Sequence, residues 1–203
     1  MTFVSMFDFS QSYLLADDRV LLRPLELTDA EHLLCFSLEE PDLWKYSLVQ
    51  ANGAENLEKY LQIAVAGRTV QKEYPFIVYD KQEGRYAGST RFYDIQLGFD
   101  TLQLGYTWYG TQFQGTGLNK HCKFLLLSFA FEHMGMERVE FRADNRNERS
   151  KAAMKSIGCI EEGVLRGNMP TNEGTRRDSV VLSILKDEWF GHVKENIRKK
   201  MNT

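Results

Sequence analysis

The chain has 203 residues, of which 43% are hydrophobic and 26% charged, and its formal net charge is −3. This composition is ordinary for a single globular domain with a buried core, and the charge gives no reason to expect nucleic acid as a partner. Cys35, Cys122 and Cys159 are odd in number and lack C-x-x-C spacing, which argues against a disulfide framework and a structural zinc site. No signal peptide and no membrane span of about 20 apolar residues is recognised, so we expect a cytoplasmic protein without a membrane partner.

The first third of the chain predicts one strand and two helices behind an irregular arm. The arm covers residues 1–17, and residues 18–203 are expected to form a single domain because no repeat or linker interrupts them. The predicted elements are a strand over 19–25, a helix from a capping box at Thr28–Glu31 to about Leu38, and a helix from Ala54 to about Val70.

The middle third predicts an antiparallel meander. Three segments rich in aromatic and β-branched residues, 74–79, 86–95 and 102–109, are separated by polar breaks at 80–84 and 98–100. Strands joined by such short polar breaks usually pair as hairpins.

The last part alternates helices with strands. The predicted elements are a helix from Leu118 to near Gly135, a strand over 137–144, a helix over 147–157, strands over 160–166 and 178–185, and a tail helix from Asp187. Strands that first pair as hairpins and then alternate with helices predict a mixed α+β fold, with helices covering a central sheet.

The segment Gln112 to Lys120 carries the clearest chemical signal. Gly115 and Gly117 stand between a predicted strand and a predicted helix, where the backbone can turn tightly and approach a ligand. The free N–H groups and the dipole of the helix start form an anion site suited to a pyrophosphate. A tight turn without any ligand is the alternative. Lys120 stands where a dinucleotide fingerprint needs a small residue, and the chain has no Gly-Lys-Ser/Thr of a P-loop.

These residues resemble a known family. Gln112-x-x-Gly115-x-Gly117 resembles the coenzyme A motif Q/R-x-x-G-x-G/A of the GNAT N-acetyltransferases. A second family signature is matched downstream by the strand 139–142, then Asp144, Asn147-x-x-Ser150 and Ile157-Gly158. The sequences of residues 115–120, 162–166 and 177–181 are similar to those of the RimJ/RimL-like branch, which acetylates the N-termini of ribosomal proteins. The resemblance extends from about Arg19 to Trp189 and is strongest over 105–185.

The resemblance implies a GNAT fold, with a mostly antiparallel central sheet flanked by helices. It implies that acetyl-coenzyme A lies in a V-shaped gap between two splayed parallel strands, here 102–109 and 138–144. An amine would attack the thioester directly, and the backbone of residues 104–108 would donate a hydrogen bond to the developing oxyanion. No metal is required.

The resemblance also implies the cofactor-binding residues. They are Gln112, Phe113, Gln114, Gly115, Thr116, Gly117, Leu118, Asn119 and Lys120, followed by Asn147 and Ser150. Lys120 and Lys123 either add charge near the phosphates or are solvated lysines. Asn147 contacts the pantetheine arm, caps a helix, or does both.

Two catalytic residues are expected, Ser150 and, more weakly, Tyr106. Many relatives use a tyrosine to protonate the departing thiolate, but Met154 occupies that position here, so the role passes to Ser150. The alternative for Ser150 is a buried hydroxyl bonded to a carbonyl one turn back. No base is identified: Gln103 stands where relatives often carry glutamate, and Glu26 or Asp94 could reach the site only through the fold.

The acceptor cleft is expected to include Arg91, Phe92, Trp108 and Arg166. The competing interpretations are core packing for the aromatic residues and a surface ion pair for Arg166. Because an α-amine has a pKa of roughly 7.7–8.0 and a lysine about 10.4, a site with a weak base favours an α-amine.

We therefore expect an enzyme that transfers acetyl from acetyl-coenzyme A to a primary amine, with a protein or peptide N-terminus preferred. One alternative is a small amine such as an amino acid, polyamine or antibiotic. Another is a catalytically inactive domain that binds coenzyme A or a protein. Relatives in this family are often dimers, so a homodimer belongs to the expectation, with no interface identified.

Overall fold

A computed structural model describes residues 7–171 and 174–201. The strands are β1 Leu15–Ala16, β2 Val20–Pro24, β3 Tyr74–Asp80, β4 Arg85–Gln96, β5 Thr101–Tyr109, β6 Arg138–Asp144, β7 Ile160–Pro170 and β8 Arg176–Leu185. The helices are α1 Ala30–Glu39, α2 Ala54–Thr69, α3 Leu118–Ser128, α4 Glu148–Ser156, α5 Lys186–Glu188 and α6 Lys194–Met201. Wider turns, Phe129–His133 and Trp189–Val193, follow α3 and α5.

The strands form one sheet in the order β1-β2-β3-β4-β5-β6-β8-β7. Every neighbouring pair is antiparallel except β5 and β6, which are parallel. The predicted mixed, mostly antiparallel sheet with flanking helices is therefore confirmed. The short strand β1 was not expected, because it lies in the segment that the sequence left irregular, and it pairs with β2 through Leu15 and Leu22.

The parallel pair separates after three residues. Thr101, Leu102 and Gln103 of β5 pair with residues 138–140 of β6, and no strand of the described chain pairs with this edge of β5 beyond Gln103. β6 instead continues alongside β8 to Asp144. A wedge-shaped gap thus opens inside the sheet, and it is bordered by the edge of β5 from Leu104 to Tyr109, which has no neighbouring strand on that side within the described residues.

A β-bulge shapes the open part of β5. Ser89 faces Trp108 and Arg91 faces Gly105, so one residue of β4 lies opposite two residues of β5, Tyr106 and Thr107. Tyr106 has a positive φ of 49°, which is uncommon outside glycine. Such a bulge releases backbone groups from the ladder and bends the strand locally.

Local details differ from the sequence predictions at two helix ends. The predicted capping box at Thr28 does not form. The reciprocal arrangement of an N-cap and its N3 carboxylate lies two residues earlier instead: Asp29 accepts the N–H of Glu26 at 2.8 Å, and it also accepts from the guanidinium of Arg23 at 3.0 Å. The helix predicted to reach Gly135 keeps its α-form only to Ser128, and the wider turn that follows ends before Gly135, whose φ is 76°.

The core continues into the predicted arm. Phe7 and Phe9 are buried, and Phe7 packs against Tyr74 with ring centres 5.5 Å apart. Within the described residues no helix is both long and apolar enough to cross a membrane.

Candidate active site

A cavity of about 1050 Å³ occupies the gap between β5 and β6. Leu104 to Tyr109 form one wall and Phe141 to Asp144 the other. The loop before α3, the first turn of α4 and the segment 42–49 complete the lining. The two segments that carry the sequence motifs therefore meet at one cavity.

The loop before α3 presents free backbone donors. Gly115 and Gly117 have φ values of 77° and 90°, in the left-handed region that favours glycine. Within the described ranges, the N–H groups of Gly115, Thr116 and Gly117 have no hydrogen-bond acceptor. A Cβ at either glycine would have no atom within 4 Å, so the space beside these donors is open. Consecutive free N–H groups at a helix start form a concave site for an anion.

The predicted cofactor residues divide into two groups. Those that line the cavity are Phe113, Gln114, Gly115, Gly117, Asn119, Lys120, Asn147 and Ser150. Gln112, Thr116 and Leu118 do not line it. Leu118 is fully buried in the core, and the hydroxyl of Thr116 donates to the carbonyl of Phe113 at 2.9 Å, which holds the loop in shape.

Gln114 fastens the loop to the neighbouring elements. Its Nε2 donates to the carbonyl of Tyr109 at 2.9 Å, and its Oε1 accepts from the guanidinium of Arg149. The end of β5, the loop and α4 are therefore connected through one side chain.

Asn147 caps α4. Its Oδ1 accepts the backbone N–H of Ser150 at 3.0 Å, so one of the two predicted roles of Asn147 is observed directly. The Oγ of Ser150 makes no hydrogen bond within residues 7–171 and 174–201, and the alternative of a bond to a carbonyl one turn back is not found. Ser150 and Met154 both line the cavity.

Lys123 is buried, which contradicts one of its two predicted roles, that of a solvated lysine. It is 5% exposed, and its Nζ donates to Oγ1 of Thr107 on β5 at 2.8 Å. The same Nζ lies 5.9 Å from the ring centre of Phe141 on β6. Burial lowers the pKa of this lysine to about 8. Lys123 therefore spans the gap between the two diverging strands.

Tyr106, the weaker catalytic candidate, lines the cavity at the bulge. Burial raises the pKa of its hydroxyl, so the group stays protonated at neutral pH. Its ring lies 4.2 Å from the guanidinium carbon of Arg91 and meets Tyr93 edge to face at 5.0 Å.

Of the four predicted acceptor residues, only Trp108 lines the cavity. Arg91 is fully buried, stacked between Tyr60 and Tyr106, and its Nη1 donates to Glu73 at 2.7 Å. Phe92 packs edge to face on Phe76 in the core, at 5.7 Å. Arg166 is exposed on β7, outside the cavity.

The alternation of side chains between the two faces of a strand does not hold near the end of β4, because the strand is irregular there. Alternation places Tyr93 and Asp94 on opposite faces, yet both line the cavity. The pairing with β5 shifts between Tyr93 and Gln96, and Asp94 has a φ of 46°. The carboxylate of Asp94 accepts from the amides of Gln103 and Gln96, each at 2.9 Å. Glu26, the other carboxylate considered from sequence, does not line the cavity.

Two further cavity residues were missed by the sequence analysis. Trp44 is fully buried and packs edge to face on Trp108 at 5.2 Å. Arg177 is 9% exposed, and it donates to Oγ of Ser179 and to the carbonyl of Tyr46. The Arg177-Asp178 pair carries part of the family resemblance, which was the available signal for Arg177, whereas no pattern singles out Trp44.

Comparison with known proteins agrees with this geometry. Residues 19–160 match the family described as acetyltransferase (GNAT) domain. YdaF of Bacillus subtilis, provisionally named a ribosomal N-acetyltransferase, is 26% identical over 182 residues, which are 86% of this chain and 96% of YdaF.

Solved structures are similar over most of the chain. A provisionally assigned acetyltransferase from T. thermophilus superposes with a TM-score of 0.84 at 31% identity, covering 96% of this chain and 99% of its own. The ribosomal-protein-S5-alanine acetyltransferase of Vibrio fischeri has a TM-score of 0.71 at 20% identity, covering 87% and 98%, and this likeness shows the fold alone. The family match covers most of the chain and includes the loop and the strands that form the cavity, so this protein belongs to the GNAT acetyltransferase family and is an N-acetyltransferase of that type.

Proposed function

We propose that the enzyme transfers the acetyl group of acetyl-coenzyme A to the α-amine of a peptide or protein N-terminus. The observation that carries this proposal is that Gly115 and Gly117, whose amides have no acceptor among the described residues, lie at the cavity that the open edge of β5 borders. One cavity thus offers a site for a diphosphate and an unpaired strand edge for an amide-containing chain.

Three features of the cavity suit parts of coenzyme A. The amides of residues 115–117 suit the pyrophosphate, and the open space beside both glycines leaves room for it. The unpaired edge of Leu104 to Tyr109 suits the two amides of the pantetheine arm, which can bond to it as a neighbouring strand would. Nδ2 of Asn147 remains a donor while Oδ1 caps α4. The thioester supplies the acetyl group.

The choice of an α-amine follows from the acid–base chemistry of the acceptor side. Deprotonation at pH 7 costs about 1.2 kcal/mol for an α-amine and about 4.6 kcal/mol for a lysine side chain. Asp94 lines the cavity with neutral amide partners, Gln96 and Gln103, so its negative charge is available to an incoming ammonium group. The names of YdaF and of the Vibrio fischeri enzyme also support a protein acceptor.

The first test measures the binding of coenzyme A by isothermal titration calorimetry. We expect Gly117→Glu to abolish binding, because the substitution strains a left-handed residue and puts a negative charge beside the amides. Gly98→Glu is the matched control: this exposed glycine has no positive φ and lies outside the cavity. Equal affinity in both variants would exclude the amide site.

The second test measures thiol release from acetyl-coenzyme A with a panel of acceptors. A short peptide with a free N-terminus should be acetylated, and the same peptide with a blocked N-terminus should not. Acetylation of both peptides alike, or of small amines alone, would exclude the α-amine of a peptide as the acceptor.

A further inference from the structure

Lys123 is a buried cation with no counter-charge among the described residues. No carboxylate of that part of the chain lies within ion-pair distance of its Nζ, and its one hydrogen-bond partner there is the neutral hydroxyl of Thr107. Taking an ammonium group out of water is expensive unless an opposite charge accompanies it. A leucine or methionine would fill the same space on α3 without that cost, so packing alone does not explain a lysine here.

The groups that face Lys123 are all neutral at pH 7. Burial raises the pKa of both neighbouring thiols, Cys122 on the same helix and Cys159 before β7, to about 12. Thr107 from β5 and Phe141 from β6 carry no charge. The local environment is therefore electropositive, and a negative charge that formed in it would be stabilised by the ammonium group.

The position of Lys123 suits a negative charge that forms near the bulge of β5 rather than one at the glycine loop. Lys123 lies six positions after Gly117, which corresponds to about 9 Å along the helix axis. Its Nζ contacts Thr107, next to the bulge at Tyr106, and reaches across toward Phe141 on the opposite wall. Lys120, about one turn earlier, donates from Nζ to the carbonyl of Lys200 on α6 instead.

We propose that the Lys123 ammonium group neutralises the coenzyme A thiolate as it departs, the role that the sequence assigned to Ser150. This inference rests on the proposed function. The acceptor nitrogen forms a bond to the acetyl carbon, the C–S bond breaks, and its electron pair goes to sulfur. Nζ of Lys123 gives a proton to that sulfur. The proton lost by the acceptor nitrogen returns to Nζ through water, so the products are the amide and the free thiol.

The acidities of the two groups suit this transfer. A free thiol has a pKa of about 8.5, and the pKa of Lys123 is lowered to about 8. A donor with nearly the same pKa as the leaving group transfers its proton with little free-energy change, and at pH 7 it is still mostly protonated. An unperturbed lysine has a pKa about two units above that of the thiol, so it would be a weaker proton donor.

The test measures steady-state kinetics of wild type, Lys123→Met and Lys123→Arg with a saturating acceptor. We expect Lys123→Met to lower kcat about 100-fold, in the range of general acid catalysis, while the KM for acetyl-coenzyme A changes less than about threefold. Lys59→Met is the matched control for a lysine-to-methionine change, because Lys59 is exposed on α2 and pairs with Glu55. Its activity should equal that of wild type.

The pH profile separates a chemical role from a structural one. In wild type, kcat/KM for acetyl-coenzyme A should fall as the pH rises above about 8, when Lys123 loses its proton. Lys123→Arg keeps its charge at every accessible pH, so this alkaline decline should disappear while part of the activity is rescued. An unchanged decline in Lys123→Arg would overturn the inference even if Lys123→Met proves unstable.

The remaining outcomes are distinguishable. A wild type that neither binds coenzyme A nor releases thiol overturns the proposed function and this inference together. A wild type that is active, with a Lys123→Met variant that matches it, overturns the inference alone. A Lys123→Met variant that keeps kcat and loses affinity for coenzyme A also overturns it, because the lysine would then bind the cofactor without taking part in the transfer.

Discussion

Oδ1 of Asn147 lies 3.0 Å from the backbone nitrogen of Ser150, and this single hydrogen bond sets the first turn of α4 against the cavity. The bond joins the two residues of the second family signature. It leaves Nδ2 of Asn147 and Oγ of Ser150 available to a ligand, so capping and cofactor contact are compatible in one side chain.

This double role of Asn147 predicts that two substitutions separate stability from binding. Asn147→Ala should lower the free energy of unfolding by about 1 kcal/mol, because it removes the cap, whereas Asn147→Ser should retain most of that stability. Both remove the Nδ2 donor and should weaken coenzyme A binding about fivefold, the value of one hydrogen bond. Urea unfolding and calorimetric titration measure the two effects. Unchanged affinity in both variants would restrict Asn147 to capping.

Ser150 is predicted to contribute little to the chemical step. If Lys123 supplies the proton, Ser150→Ala should lower kcat less than about threefold, since the cap of α4 uses the backbone of Ser150 and not its hydroxyl. A loss of about 100-fold, the size expected for removing a general acid, would return the role to Ser150. Thiol release at saturating substrates is the measurement.

The buried ion pair of Arg91 and Glu73 predicts a stability effect. Glu73→Gln removes the counter-charge of a fully buried guanidinium group, whose Nε and Nη2 already lack partners in the described chain. We expect a loss of about 3 kcal/mol in the free energy of unfolding. Glu55→Gln, which removes the exposed partner of Lys59, should cost less than about 0.5 kcal/mol. Equal midpoints in urea unfolding would show that the ion pair with Glu73 does not stabilise the buried Arg91.

The lowered pKa of Lys123 predicts how stability depends on pH. The folded lysine loses its proton near pH 8, and the unfolded lysine near 10.5. Between these values the unfolded chain binds more protons, so this residue makes the protein more stable as the pH rises and least stable below pH 8. Lys123→Met should therefore stabilise the protein at pH 7, by about 2 kcal/mol after the loss of the bond to Thr107. The difference between variant and wild type should shrink from pH 8 to pH 10, and a constant difference would refute the shift.

Much of the architecture followed from local sequence patterns. The meander over 74–109 was recognisable because β-rich segments alternate with polar breaks. The start of α3 was recognisable because Gly115 and Gly117 permit φ values that other residues avoid. The cap at Asn147 followed from the residue type at that position. In each case the residues that give the sequence signal lie within a few positions of the structure that they predict.

The role of Arg91 shows why the acceptor side was harder. Its position on a β-rich strand is equally compatible with a cleft and with the core. Arg91 lies in the core because it pairs with Glu73 and stacks on the rings of Tyr60 and Tyr106, which come from three other parts of the chain. The bulge at the end of β4 then moved Asp94 to the cavity, against simple alternation.

The sequence by itself determined most of the order of the elements, the glycine-containing loop before α3 and the family, because these depend on residue types at fixed short spacing. Only the tertiary structure decided where the parallel strands separate and that Lys123 is buried between them. Helical spacing predicts which residues share a face of α3, but the solvation of a lysine depends on what packs against that face. Here Thr107 and Phe141, on the two strands that border the gap, cover the lysine and leave its charge facing the cavity.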